Sequence, residues 1–510
     1  MFFKVMSLGL TGLNAFPVTA EIEASNALPD FQIIGLADAA VKECRERIKS
    51  AFRSSEINFP EQRIVINLAP ADVKKTGTVH DLSIAAALCM VQGWIKKTQI
   101  QNAAFIGEVS LGGEIRPVKG VLPMTILAMK LGCTEIYVPA ENAAEAAVVN
   151  GITVYGVTDL KAMVSHFFFN KKIKPEPSYI PDFSQQPDRY DFKDIKGQEL
   201  AKRAIEVAAA GSHNALLIGP PGSGKSMIAK ALSSILPKMT FEEAIAATNV
   251  YSVAGEIDPK HPLITSRPFR SPHHTVSTAG LSGGGSIPRP GEISLAHNGV
   301  LFLDELPEFS RNALEILRQP LEDGKVTISR ASGTVTYPSS FMLIAAMNPC
   351  PCGYYGHPTR SCTCNPKKVE NYLAKISGPM LDRFDVHVEA ASVEFEELSS
   401  KQKSEPSESI RQRVQAARDI QNKRFSGTDI TCNANITPDL MSEICILTNE
   451  AKDTLKNVFE AFSLSARAYD KILKVARTIA DLDNSEMIEA PHIMEAASYR
   501  TLDKKYWAGK

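Results

Sequence analysis

Gly219-Pro-Pro-Gly-Ser-Gly-Lys225-Ser226 is the stretch on which the reading of this chain turns. It follows the apolar run Ala215–Ile218 and precedes a helical pattern, the strand–loop–helix setting that a phosphate-binding loop requires. Gly219, Pro220, Pro221, Gly222, Ser223 and Gly224 let the backbone wrap phosphates with its N–H groups, and the helix start adds positive potential. Lys225 is expected to reach the β- and γ-phosphates of ATP, and the Ser226 hydroxyl to ligate Mg²⁺. The alternative, a chance glycine-rich turn, does not account for both flanks.

A second segment, Val300-Leu-Phe-Leu-Asp304-Glu305, completes the expected site. Its apolar residues make a buried parallel strand, and two carboxylates emerge where open α/β sheets bind ligands. Asp304 is expected to hold the Mg²⁺ shell and Glu305 to orient or deprotonate the attacking water. A third apolar strand, 341–347, ends at Asn348, whose amide is placed to hold that water; in isolation it would read as a turn residue. From Lys225 to Asp304 is 304 − 225 = 79 positions, and from Asp304 to Asn348 is 348 − 304 = 44. Both spacings leave room for elements beyond a bare strand–helix–strand unit.

Composition sets the bounds. At 510 residues the chain exceeds one core, and two or three domains are expected. Lys plus Arg is 56 against 57 for Asp plus Glu, which excludes a generally basic nucleic-acid-coating protein but not a local basic surface. No apolar run reaches the ~20 residues of a membrane helix. The first residues read as a strand, not an export signal. Nine cysteines, four of them clustered, point to a reduced, cytoplasmic protein in which thiols bind metal or pack.

Residues 1–170 mix β-like runs (63–68, 135–138, 152–157) with Ala-rich helical stretches (82–91, 122–131, 142–149), the signature of an α/β domain. The Pro-rich segment 171–190 reads as an extended linker. A second α/β block runs over 191–392, a polar stretch covers 394–409, and helical patterns follow at 411–423, 438–448, 451–462, 466–481 and 491–501. Residues 270–285 form a Gly/Ser-rich loop, and 325–337 alternate like a hairpin turning near Ala331-Ser332-Gly333.

Taken together, GPPGSGKS (219–226), VLFLDE (300–305), AAMNP (345–349), SGPMLDRFD (377–385) and LSARAYDKILKVARTIADL (464–482) resemble the Mg-chelatase-related AAA+ proteins. The match is to the ComM/YifB family of bacterial competence-linked helicases, over essentially the whole chain and with the motifs in order. The resemblance implies an AAA+ core over 191–392, a helical lid over 393–510 and a ring, six subunits being the family expectation. It implies that Arg383 is an arginine finger reaching a neighbour's ATP and that Arg467 is a second sensor on the lid. By residue type alone, either arginine reads equally as a structural ion pair. In related motors the counterparts of the 270–285 loop and the 325–337 hairpin line a central pore and grip the translocated polymer. The implied function is an ATP-driven motor that migrates branched DNA during recombination and natural transformation. A chelatase-type remodeller of a protein partner and a protein unfoldase or protease remain alternatives. In the DNA reading, Lys325 and Arg330 are the expected phosphate contacts.

The first block has its own resemblance. Residues 107–118 and 132–139 look like the proteolytic domain of Lon, implying a ribosomal S5 domain 2-like fold. Lon needs a Ser activated by a Lys. Here the Ser motif reads Thr76-Gly-Thr-Val-His-Asp81, and Leu122 falls at the Lys position, three residues beyond Lys119. The expectation is a non-catalytic domain. Finally, Cys350, Cys352, Cys362 and Cys364 form two close pairs suited to tetrahedral Zn²⁺, with His357 between them. Packed reduced thiols are the alternative.

Overall fold

The computed structural model describes residues 1–36, 38–184, 190–285, 288–330, 333–392, 404–462 and 464–507. Its first sheet has seven strands, in the spatial order Asp30–Ile34, Arg63–Ala69, Asn14–Ser25, Phe2–Thr11, Ala103–Phe105, Glu135–Pro139 and Thr153–Val157. Phe2–Thr11, Asn14–Ser25 and Arg63–Ala69 pair antiparallel, and the remaining neighbours are parallel. Alternation drives the antiparallel part. Ile64, Ile66 and Leu68 are buried while the residues between them face outward. The helix Asp81–Val91 is buried along nearly its whole length against this sheet, which is why its sequence carries no polar face.

The second sheet is wholly parallel, ordered Phe269–Arg270, Val300–Leu303, Met342–Met347, Ala215–Ile218 and Val386–Glu389. Every residue of Ala215–Ile218, Val300–Leu303 and Met342–Met347 is buried, as continuous apolar runs in a doubly covered sheet must be. The C-terminal region is helical, with Ser407–Arg424, Asn449–Phe462, Ala466–Leu482 and Ala490–Ser498 as its long members. It shares one apolar core with the sheet through the helix Glu199–Gly211. Gln421 Nε2 and Arg418 Nη2 donate to Ala210 O (3.0 Å) and Ala209 O (3.2 Å), satisfying carbonyls at that helix's end. The last described helix, Thr501–Trp507, returns to the sheet edge, where Lys505 meets Glu389 at 2.7 Å.

Three sequence expectations need correction. The pattern 438–448 yields a helix only at Met441–Ile444, because Leu447 bridges to Ile488 and Thr448 caps the following helix (Ala451 N to Thr448 Oγ1, 3.2 Å). The stretch 142–149 is helical only over Ala143–Ala146; the Asn142 side chain turns back to bond Val118 N (2.9 Å) and Val118 O (3.2 Å) instead of continuing a helix. Segment 171–190, expected as an extended linker, is in part paired with the first sheet where it is described. Pro175 pairs with Tyr155 on the edge strand, and Glu176 N donates to Val154 O (2.8 Å).

The two α/β blocks meet through the helices Val121–Lys130 and Phe241–Ala254. Leu122, Val148 and Val149 pack against Met239, Ala244, Ala247 and Leu263. Gly120 N donates to Ser252 O (3.0 Å), and Lys119 Nζ to Ala254 O (2.8 Å) at the helix C-terminus, where a cation is favoured.

Candidate active site

The loop 219–224 leaves the strand Ala215–Ile218, between Met342–Met347 and Val386–Glu389, at its carboxyl end and turns into the helix Lys225–Ala231. Gly222 (φ 78°) and Gly224 (φ 83°) hold left-handed conformations that only glycine adopts at little cost. Gly219 packs so tightly that a Cβ would stand 2.1 Å from Ala390 O. Lys225 Nζ is folded into the loop, donating to Gly219 O (2.9 Å), Pro220 O (2.8 Å) and Asn348 Oδ1 (3.2 Å). Burial pushes this ammonium down to about 8, against the pull of Asp304. An ammonium held by neutral oxygens alone in such a place has the chemistry of a phosphate receptor.

Beside it, Ser226 Oγ donates to Asp304 Oδ2 at 2.6 Å. A hydroxyl and a carboxylate in contact, next to a helix start, are the donor set a hard divalent cation selects. The strands Val300–Leu303 and Met342–Met347 are adjacent in register, Leu303 opposite Ala345, and deliver Asp304 and Asn348 to the same edge. Glu305 follows in a left-handed conformation (φ 53°), unusual for a non-glycine residue. Among the described residues its carboxylate is paired with His274 Nδ1, 3.5 Å from Oε2. Gln198 Nε2 donates to Ser223 O (3.1 Å), tying the loop to the start of Glu199–Gly211. Neither His274 nor Gln198 was anticipated from sequence.

The parallel sheet carrying this loop agrees with the sequence comparisons. A family model described as magnesium chelatase, subunit ChlI, matches residues 191–398, with companion ChlI models over 20–142 and 404–500. YifB of Escherichia coli is 41% identical over 495 residues, covering 97% of this chain and 96% of its own. Competence protein ComM of Haemophilus influenzae is 40% identical over 504 residues, covering 98% and 97% respectively. The chain belongs to the ComM/YifB family. A magnesium-chelatase 67 kDa subunit of Chlorobaculum tepidum is 29% identical over only 161 residues, 31% of this chain and 23% of its own. The ComM/YifB chain is thus a Mg-chelatase-like AAA+ protein, mixed α/β with a parallel sheet and a helical C-terminal region. Among the described residues no helix is long and apolar enough to cross a membrane.

Two arginines expected to act on nucleotide stand together, away from this loop. Arg383 pairs with Glu322, and burial together with the Arg467 and Arg318 charges holds its guanidinium below the usual range. Arg467 opens the helix Ala466–Leu482 with its side chain 70% exposed, 3.7 Å from Asp382. The backbone between them is clamped. Lys471 reaches Asp385 (3.0 Å) and Phe384 O (2.9 Å), and Arg500 donates to Phe384 O (2.8 Å).

The hairpin is formed by Lys325–Arg330 and Gly333–Pro338, with Lys325 opposite Pro338 and Arg330 opposite Gly333. Lys325 therefore lies at the base and Arg330 beside the turn; residues 331–332 of the turn lie outside the described residues. Arg330 touches the other insertion, its Nη2 only 3.4 Å from where a Gly284 Cβ would stand. The four thiols of Cys350, Cys352, Cys362 and Cys364 lie within 4.8 Å of one another. Their loop braces the phosphate loop: Gly353 (φ 85°) sits against Pro221, where a Cβ would be 2.3 Å from the ring. His357 Nδ1 is instead engaged by the Thr359 and Arg360 N–H groups (3.2 and 3.0 Å).

Proposed function

We propose that this protein is an ATP hydrolase that works as a ring-shaped motor on DNA, promoting branch migration during recombination and natural transformation. The observation that carries the ATPase reading is the convergence of Lys225, Ser226–Asp304 and Asn348 at the carboxyl edge of one parallel sheet. Lys225 binds the β- and γ-phosphates, Asp304 and Ser226 hold Mg²⁺, Asn348 positions the water and Glu305 takes its proton. Bound Mg²⁺ supplies charge neutralisation along the phosphates. Arg383 and Arg467, sharing one patch remote from their own loop, serve the ATP of a neighbouring subunit, which makes a closed ring, six-membered as in related motors, the working form.

The relative from Haemophilus influenzae is named a competence protein, and that name supports DNA as the polymer. The test is ATP turnover with and without single-stranded, double-stranded and branched DNA, followed by strand exchange on three- and four-way junctions. A chelatase-like remodelling role would leave turnover indifferent to every DNA. The hairpin is the proposed grip. In the competing helix Ser407–Arg424 four of the five cations have partners, Arg411 at Glu408, Arg413 at Glu206 and Glu405, Arg418 at buried carbonyls and Arg424 at Asp481, which leaves Lys423. Lys325→Ala with Arg330→Ala is expected to weaken DNA binding alike on all sequences and to flatten its salt dependence, each lost phosphate contact removing about 0.9 from the log–log slope. Unchanged affinity and slope would move the DNA surface elsewhere.

The Cys350–Cys364 loop is proposed to hold Zn²⁺. Four thiol sulfurs that close together, in two Cys-x-Cys segments, fit a closed structural site. The purified protein is expected to carry about one zinc per chain and to lose thermal stability on chelation. Metal analysis finding none would leave packed thiols. The first domain is proposed to be a Lon-like fold without peptidase function. Lys119 is spent on Ala254 O, Ser7 bonds His80 at 2.9 Å beneath the surface, and Asp81 is paired with Arg47 at 2.9 Å.

A further inference from the structure

The amino ends of the parallel strands, opposite the phosphate loop, carry a second polar site. Arg267 and Asn298 lie just before Phe269–Arg270 and Val300–Leu303, and Ser340 just before Met342–Met347. With Arg418 of the helix Ser407–Arg424 and Asn435 of the helical region, they line a cavity of about 280 Å³. Pockets for drug-sized ligands hold roughly 300–1,000 Å³, so this one suits a smaller guest, an ion with its water.

The charge balance of the cavity decides what that guest is. Arg418 is 7% exposed, so water does little for its charge. Its donors reach neutral oxygens only, Nη1 at Thr431 O (3.4 Å) and Nη2 at Ala209 O (3.2 Å) and Ser212 Oγ (2.8 Å). Among the described residues its Nε–H has no acceptor, and the Cys432 thiol stands beside it. Glu243, the acid whose charge it feels, is already committed. That carboxylate takes Arg267 Nη1 at 3.2 Å and Nη2 at 2.9 Å, and the Thr240 N–H at 2.9 Å. One acid thus stands against two guanidiniums, and the cavity keeps one positive charge in excess. A buried charge without a counter-charge is strongly disfavoured, and an ion pair or a bound ion relieves it.

The neutral groups favour the same guest. Burial pushes His297 down to about 4, so the imidazole is uncharged at pH 7. Its Nδ1 accepts from Ser340 N (3.1 Å), which places the ring proton on Nε2 as a donor. The Ser340 hydroxyl and the Asn435 amide add donors, one from the strand ends and one from the helical region. Donors arriving from both parts of the fold suit a tetrahedral oxyanion, whose oxygens project in four directions, better than a planar carboxylate.

We propose that this cavity is a binding site for a small tetrahedral oxyanion of the size of inorganic phosphate, with Arg418 as its principal cation. Bound there, the ion bonds groups of the sheet and of the helical region at once. It therefore ties the two together at the edge away from the phosphate loop.

The experiment is calorimetric titration with inorganic phosphate at fixed ionic strength, set beside thermal unfolding. Lys225 is itself a phosphate receptor, so the full-length Lys225→Ala protein is the one titrated. It is expected to bind about one phosphate per chain, and its unfolding midpoint to rise by about 2–5 °C at saturation. Adding Arg418→Met, which keeps the bulk of the stem and removes the charge, should weaken binding by about tenfold or more. Adding Ser212→Asp tests the same point in a protein that retains its arginine. Ser212 Oγ already meets Nη2 at 2.8 Å, and its left-handed backbone (φ 58°) is one that aspartate tolerates. The built-in carboxylate should neutralise Arg418 and abolish the response to phosphate. Absence of saturable binding in Lys225→Ala would overturn the proposal, as would binding that persists undiminished with Ser212→Asp. Should Arg418→Met fail to fold, Ser212→Asp decides alone.

Discussion

Glu305→Gln is expected to lower ATP turnover by about 10²–10³-fold while leaving ATP affinity within about twofold. The separation follows from where the side chains stand. Lys225 and the glycines line the loop that takes phosphates, and Ser226 with Asp304 forms the divalent-cation pair, whereas Glu305 meets Asp304 through its backbone, its N–H donating to Asp304 Oδ1 (3.0 Å), and its side chain lies 3.5 Å from His274. Replacing its carboxylate by an isosteric amide removes a proton acceptor and leaves the binding surface intact. Lys225→Ala should fail in the opposite way, losing nucleotide binding itself. It also removes the donor to Gly219 O, Pro220 O and Asn348, so the loop loses its internal tie as well as its charge. The pair is distinguished by nucleotide binding in the presence of Mg²⁺ set beside steady-state hydrolysis. Glu305→Gln that turns over normally would return the catalytic role to another group.

Sequence was most informative where one local constraint dominates. The phosphate loop was legible because its glycines are demanded by φ and close approach at Gly219, Gly222 and Gly224. The parallel strands were legible because burial on both faces leaves only apolar residues. Cys350 to Cys364 were legible as a cluster because their spacing is short. What escaped was set by contacts between distant segments. His274 reads as one more polar loop residue until the pairing of Arg270 with Leu301 is known. Residues 438–448 look helical, and only the bridge from Leu447 to Ile488 straightens their end. The Pro-rich stretch near 175 reads as extended, but its pairing with Thr153–Val157 escapes because the open side of an edge strand cannot be seen in sequence.

Arg383→Ala is expected to cost about 10³-fold in turnover with ATP binding retained, the lower end of what an arginine finger supplies. In this chain the Arg383 side chain is 16% exposed, beside Glu322, on a backbone held in place. Asn214 Nδ2 donates to its carbonyl (2.9 Å), and Lys471 and Arg500 fix Phe384 O immediately behind it. The backbone is rigid, and only the side chain is free to exchange partners. That partner is now Glu322, and the nearby Arg467 and Arg318 charges make the resting pair less comfortable for the guanidinium. An anion from an adjoining subunit would relieve that crowding, which a structural ion pair would not require. The discriminating measurement mixes two inactive proteins. Arg383→Ala subunits keep a working phosphate loop, and Lys225→Ala subunits keep a working finger. In a head-to-tail ring of equal parts each site meets a random neighbour, so about a quarter of the contacts combine both intact halves and activity should recover toward that fraction. Mixed rings that assemble by mass yet recover nothing at any ratio would leave Arg383 as a structural residue of its own subunit.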